Sequence, residues 1–158
     1  MVAAPDGARF TIIATGSEVA LAQAAGAPLA ALALAQPDWQ AERSWWLDAF
    51  AKPKALSPVA LAARIEAAPK DERRDRLAAL IDWLHVWSAD LARVAAGGAP
   101  LRNPDYAAAF ARLAPLVAPI PLIRYHRSLL RQRALVAHPL QPRLVAETLL
   151  LGYRDLFR

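Results

Sequence analysis

The chain has 158 residues, 56% of them hydrophobic, with no cysteine and a formal net charge of +5. That length suits one domain, and the apolar content provides a core and argues against disorder. The missing thiols exclude disulfides, thiolate zinc sites and cysteine catalysis, and they match a reducing cytoplasm.

The first sixteen residues differ from the rest. Arg9 to Ala14 has the β-branched content of a short strand ending at Thr15-Gly16, or of a flexible terminus. From Ser17 the pattern turns helical. Ser17 caps a helix over Glu18 to Ala25, and Pro28 opens another that runs to about Ala35. Asp38 is read as the cap of a helix with Trp39, Arg43, Trp46 and Phe50 at helical spacing, stopped by Lys52-Pro53-Lys54. Ser57-Pro58 reads as cap and first position of a helix ending near Ala68.

A long helix is expected from about Lys70. Leu77, Leu80, Ile81, Leu84, Trp87, Leu91 and Val94 recur at steps of three and four, making one apolar stripe that Gly97-Gly98 stops. Helices are also predicted from Pro104 to about Leu113, Pro121 to Ala137 and Pro142 to Phe157. The fold class is therefore all-α, a bundle of about five to six helices rich in alanine.

No apolar run reaches the about 18 residues that a membrane span needs; Val19 to Ala35 is broken by Gln23, Gly26 and Pro28. No basic start leads into an apolar stretch and cleavage site, so neither a signal peptide nor a membrane partner is expected. A phosphate loop and a GxGxxG pattern are both missing, and Ala14-Thr-Gly-Ser-Glu18 places a carboxylate where a phosphate would be repelled. No cofactor or small-molecule substrate is expected. His85, His126 and His138 include no pair at the i,i+4 spacing of a helical metal site. His85 reads as a core-edge residue and His138 as a helix-end residue. Without a nucleophile, base and orienting group, no catalytic residue is assigned.

Between Ile120 and Arg158 seven arginines stand against Glu147 and Asp155, so the basic surplus belongs to the last quarter of the chain. Arg124, Arg127 and Arg131 share one helical face, flanked by His126 and Arg133. With Arg143 they form a candidate contact strip for nucleic acid or an acidic partner. The plainer alternative is a solvated face on a helix whose other side, Ile123, Leu130 and Val136, packs. Trp83 lies beside the stripe that carries Trp87, and Leu149-Leu150-Leu151 is apolar on all sides. Trp83, Trp87, Leu149, Leu150, Leu151 and Tyr153 are therefore the candidate subunit interface.

Two stretches resemble the delta-prime subunit of the bacterial DNA polymerase III clamp loader. Ala24-Ala-Gly-Ala-Pro-Leu-Ala-Ala-Leu-Ala-Leu34 with Asp38-Trp-Gln-Ala41 is similar to the segment that closes the lid of that family's ATPase-like module. His138-Pro-Leu-Gln-Pro-Arg-Leu144 running into Glu147-Thr-Leu-Leu-Leu151 resembles its leucine-rich final helix, with Gln141 where asparagine is commoner. The resemblance spans roughly residues 18 to 157 and divides the chain into an atypical segment 1–16, a lid remnant 17–36 and a helical collar 37–158. It implies assembly with the motor subunits and delta into a pentameric collar, a role in DNA replication, and weak DNA contact as a second expectation. The family's ATPase-like module, zinc-binding cysteines and arginine finger have no counterpart here, so no ATP or zinc residue carries over. Ile12 to Leu21 instead looks like a stretch from the last domain of transketolases, and that alternative predicts a buried strand over residues 9 to 21.

Overall fold

The computed structural model describes residues 14–25, 36–138 and 141–158, and every regular element among them is helical. Seven α-helices follow in order: α1 Ala14–Gln23, α2 Pro37–Phe50, α3 Pro58–Glu66, α4 Arg73–Ala95, α5 Ala107–Leu113, α6 Pro119–Leu135 and α7 Pro142–Asp155. Short 3₁₀ turns at Pro53–Ala55, Pro104–Tyr106 and Ala114–Leu116 join them. The expected all-α bundle is what forms. Among the described residues no helix is long and apolar enough to cross a membrane.

Proline and glycine set most boundaries. Pro37, Pro58, Pro104, Pro119 and Pro142 stand in the first turn of their elements, where a missing amide costs nothing. Ser57 caps α3 by accepting from the Ala60 amide at 3.4 Å. At the far end of α4, Gly97 takes φ +87°, the Gly97 amide donates to the Val94 carbonyl, and the Gly98 amide donates to that of Arg93. This double closure needs a residue at ease in the left-handed region. A Cβ on Gly98 would come 2.9 Å from Arg93 Cγ, so the second glycine is also required.

Three expectations change. Asp38 is not the cap of α2: Gln36 holds that position and Pro37 begins the helix. The long helix starts at Arg73, because residues 69–72 are used in a turn in which the Glu72 amide donates to the Pro69 carbonyl. Ala14 to Leu21 is helical, which removes the strand from the described part of 9–21 and carries α1 across the expected boundary at 16/17. Thr15, Gly16 and Ser17 occupy the first turn, where amides need no intrahelical partner and such residues are tolerated. Residues 9–13 and the helix expected over Pro28 to Ala35 lie outside the described residues.

The long helix α4 is the axis of the bundle. Leu77, Leu80, Ile81, Leu84, Trp87 and Leu91 are buried, as the stripe predicts, with Val94 partly so. Helices α2, α3, α5, α6 and α7 all pack on α4, and α3 and α7 also lie against each other. Gly152 allows α6 to approach α7 closely, since a Cβ there would sit 3.3 Å from the Tyr125 ring.

The junction of these helices is aromatic and hydrogen-bonded. Trp87 of α4 stacks near Phe110 of α5 (ring centroids 4.3 Å apart) and near Phe50 of α2 (5.9 Å). Its indole N–H donates to Tyr153 Oη of α7 at 2.8 Å, and Tyr153 donates in turn to the Phe50 carbonyl at 2.7 Å. That carbonyl belongs to the last turn of α2 and has no helical partner of its own. Arg112 of α5 closes the next one, donating to the Ala51 carbonyl at 3.0 Å. Tyr125 of α6 donates to the Leu149 carbonyl at 2.9 Å.

Replacing Tyr153 by Phe leaves a buried indole N–H and a buried carbonyl unsatisfied. The expected loss is on the order of 3 kcal/mol in urea-unfolding free energy. Trp87→Phe should cost much less in the Tyr153→Phe background than in the wild type, because both substitutions break the same chain.

Candidate functional site

Arg43 sits on the apolar side of α2, among Trp39, Trp46 and Phe50, and is 1% exposed. Its guanidinium reaches across to the loop after α4, with Nη1 and Nη2 donating to the two oxygens of Asp105 at 2.7 and 3.0 Å and Nη2 also to Asn103 Oδ1 at 2.7 Å. The Tyr106 ring lies 5.6 Å from its Cζ. Asn103 passes the interaction on, its Nδ2 donating to Asp90 of α4 at 3.0 Å. Asp90 Oδ1 accepts from the Leu101 amide at 2.7 Å, and Oδ2 accepts from the amides of Arg102 and Asn103 at 3.0 and 2.8 Å. A buried carboxylate is thus saturated by donors, and it folds the loop 97–103 back over α4. This network is structural in what it touches. The sequence signal for it was Arg43 itself, a charge at the helical spacing of an aromatic stripe; its partners, some 60 residues on, carried no signal.

A second cluster lies between α4 and α6. The rings of His85 and His126 stack with centroids 4.2 Å apart. Ser88 Oγ donates to the His85 carbonyl at 2.9 Å, so its 2.8 Å contact with His126 Nδ1 has the imidazole N–H as donor. Ser88 is fully buried and its proton is already committed. The pair therefore serves helix packing, and the hydroxyl is not aimed at a substrate. Burial lowers the His85 imidazole below its ordinary value, with Asp82 opposing. Burial lowers His126 too, reinforced by His85, against a backbone hydrogen bond to His85 that raises it. His138 is exposed just beyond α6, its amide donating to the Leu135 carbonyl.

The expected subunit-interface residues separate into two groups. Trp87 and Tyr153 are fully buried, Leu150 likewise, and Leu149 is 5% exposed. These four belong to the chain's own core and do not reach the surface, because α7 is wedged between α3, α4 and α6. Leu151 is 41% exposed. Trp83 is half-buried against Trp39, ring centroids 5.9 Å apart, at the wall of a cavity of about 400 Å³ shared with Arg102 and Asp82.

The arginine strip also divides. Arg143 is held by Glu66 and, at 2.8 Å, by Glu147. Arg133 donates to Asp82 at 2.8 Å. Arg124, Arg127 and Arg131 are exposed and make no ion pair among the described residues. The apolar side of this helix is not where the spacing placed it. Leu122, Tyr125 and Leu129 face the core, while Ile123 and Leu130 are 46% and 52% exposed; of the three expected to pack, Val136 alone is buried. Two apolar ridges run along α6, and the aromatic junction selects the one that carries Tyr125. The outward side is left with Ile120, Ile123 and Leu130 beside Arg124, Arg127 and Arg131. This is the candidate functional surface.

Comparison with protein-family models, with curated proteins and with solved structures finds no match for this chain.

The histidine cluster yields a pH prediction. Imidazoles in the unfolded chain titrate near pH ~6.5, above the folded values of His85 and His126. Their contribution to stability is complete above that pH and is lost as pH falls through the folded values. The melting temperature should drop between pH 7 and 5.5, a range above ordinary carboxylate titration, and His126→Gln should flatten that drop in a circular-dichroism melt.

Proposed function

We propose that this chain is a helical assembly domain of the collar type, the part of a bacterial clamp-loader delta-prime subunit that joins it to its neighbours. It would act in the cytoplasm, in DNA replication, as an architectural element that supplies no catalytic group of its own, with ATP hydrolysis left to other subunits. The observation that carries the assembly part is the outward side of α6. Three large aliphatic side chains and three unpaired arginines stand there on a rigid helix, while the buried polar and aromatic groups are engaged in holding the bundle together. The collar part rests on the resemblance of the lid-like segment and of the leucine-rich final helix. Leu149 and Leu150 of that helix seat it in the core, as a collar helix requires for its own bundle.

Co-elution on a sizing column at micromolar concentration, with the C-terminal domains of the motor subunit and of delta from the same organism, tests this reading. A stable complex is expected, and three independent peaks would count against it.

A second reading, a module that contacts DNA, draws on the same three unpaired arginines. Arg143 does not join them, since Glu66 and Glu147 already neutralise it. On this reading primed DNA binds weakly, loses affinity steeply with salt, and loses it altogether when Arg127 and Arg131 are both changed to Glu.

A further inference from the structure

We propose that the outward side of α6 receives an acidic amphipathic helix from a partner protein. The inference rests on the assembly part of the reading above, not on the identity of the machine, and it names the partner's chemistry.

The surface combines two features, exposed aliphatic groups and arginines that meet no carboxylate. Ile120 is 64% exposed, Ile123 46% and Leu130 52%. Large aliphatic groups gathered on one side of one helix mark a contact surface more often than scattered ones do. Arg124, Arg127 and Arg131 run beside them at steps of three and four. Helix α6 contains no aspartate or glutamate, so no carboxylate on its own element answers these charges. Several other arginines meet carboxylates: Arg64 and Arg76 with Glu42, Arg143 with Glu66 and, on the flank of α6 itself, Arg133 with Asp82.

Charge decides among the occupants. A second copy docked through the same face would set arginine against arginine with no acid on either side. A nucleic acid strand would engage the guanidinium groups but leave the aliphatic groups in water, because stacking needs exposed aromatics and Tyr125, the sole aromatic of α6 besides His126, is buried. A membrane surface suits a helix whose basic and apolar groups lie on opposite sides, whereas here they are interleaved on one side. A helix bearing carboxylates at steps of three and four beside leucine or isoleucine answers both features at once. The 17 residues of α6 span about 25 Å, room for a partner helix of similar length. One helix face is a small interface, so affinity in the micromolar range is expected.

Fluorescence anisotropy on the full chain tests the proposal with a labelled 17-residue helical peptide carrying glutamates beside a leucine ridge. Its isomer with lysine for glutamate, a single-stranded oligonucleotide, and phosphatidylserine–phosphatidylcholine vesicles are the competing probes. The glutamate peptide should bind saturably, with affinity at least tenfold weaker for the Arg127→Glu, Arg131→Glu double variant and for the Ile123→Ser, Leu130→Ser double variant. Both pairs are exposed, so both variants should melt as the wild type does; Arg127→Gln, a milder change, should weaken binding by a smaller factor. The proposal is overturned if the glutamate peptide does not bind, if the lysine isomer binds as well, or if sedimentation shows self-association that Ile123→Ser abolishes. Oligonucleotide or vesicle binding that needs both the arginine and the aliphatic pairs overturns it equally. Peptide binding without co-elution with clamp-loader domains would remove the collar reading and leave this face standing.

Discussion

The phenol of Tyr153 holds the bundle in register. Its oxygen accepts from the Trp87 indole and its proton goes to the last-turn carbonyl of Phe50, so α2, α4 and α7 meet in one hydrogen-bonded chain with no exposed atom. A buried polar group without a partner is costly, and each member of the chain satisfies the next. Burial raises the tyrosine hydroxyl well above its ordinary value, which keeps it protonated and able to donate. Around this chain, Phe50, Phe110 and Tyr125 fill the remaining space. The rotation of α6 about its own axis follows from it, because Tyr125 packs on Tyr153 and reaches the Leu149 carbonyl.

A second polar junction works in the same way at the middle of α2. Arg43, Asn103, Asp105 and Asp90 link α2 to the loop after α4 with each charge met by hydrogen bonds. Replacing such a network with apolar residues can be neutral in stability, whereas breaking one member strands the others. What it provides here is position: the loop is laid back over α4, and Asp105 and Tyr106 are carried into contact with α2.

These two junctions also sort the charges. Arg43, Arg64 and Arg143 find carboxylates in the chain, whereas Arg124, Arg127 and Arg131 on the solvent side of α6 do not. The unpartnered aliphatic groups lie on that same side. Electrostatics and apolar exposure together favour a protein partner over a polyanion.

Much of the fold could be read from residue spacing. The stripe from Leu77 to Leu91, the prolines at helix starts and Gly97-Gly98 specify α4 and most boundaries through local physics that neighbouring residues share. The site was less legible. Residue spacing picks out the arginine strip, but it turns Ile123 and Leu130 inward and offers Trp87, Leu149, Leu150 and Tyr153 to a partner, the reverse of where they lie. Periodicity ranks the faces of a helix by hydrophobicity and does not say which neighbour each will meet. Alone, then, the sequence determined an all-helical bundle, its breakpoints and a local basic surplus. Only the tertiary structure decided which of two apolar ridges on α6 turns inward. That choice is made by hydrogen bonds between residues far apart in the chain, Tyr125 with Leu149 and Trp87 with Tyr153, and no local pattern encodes them.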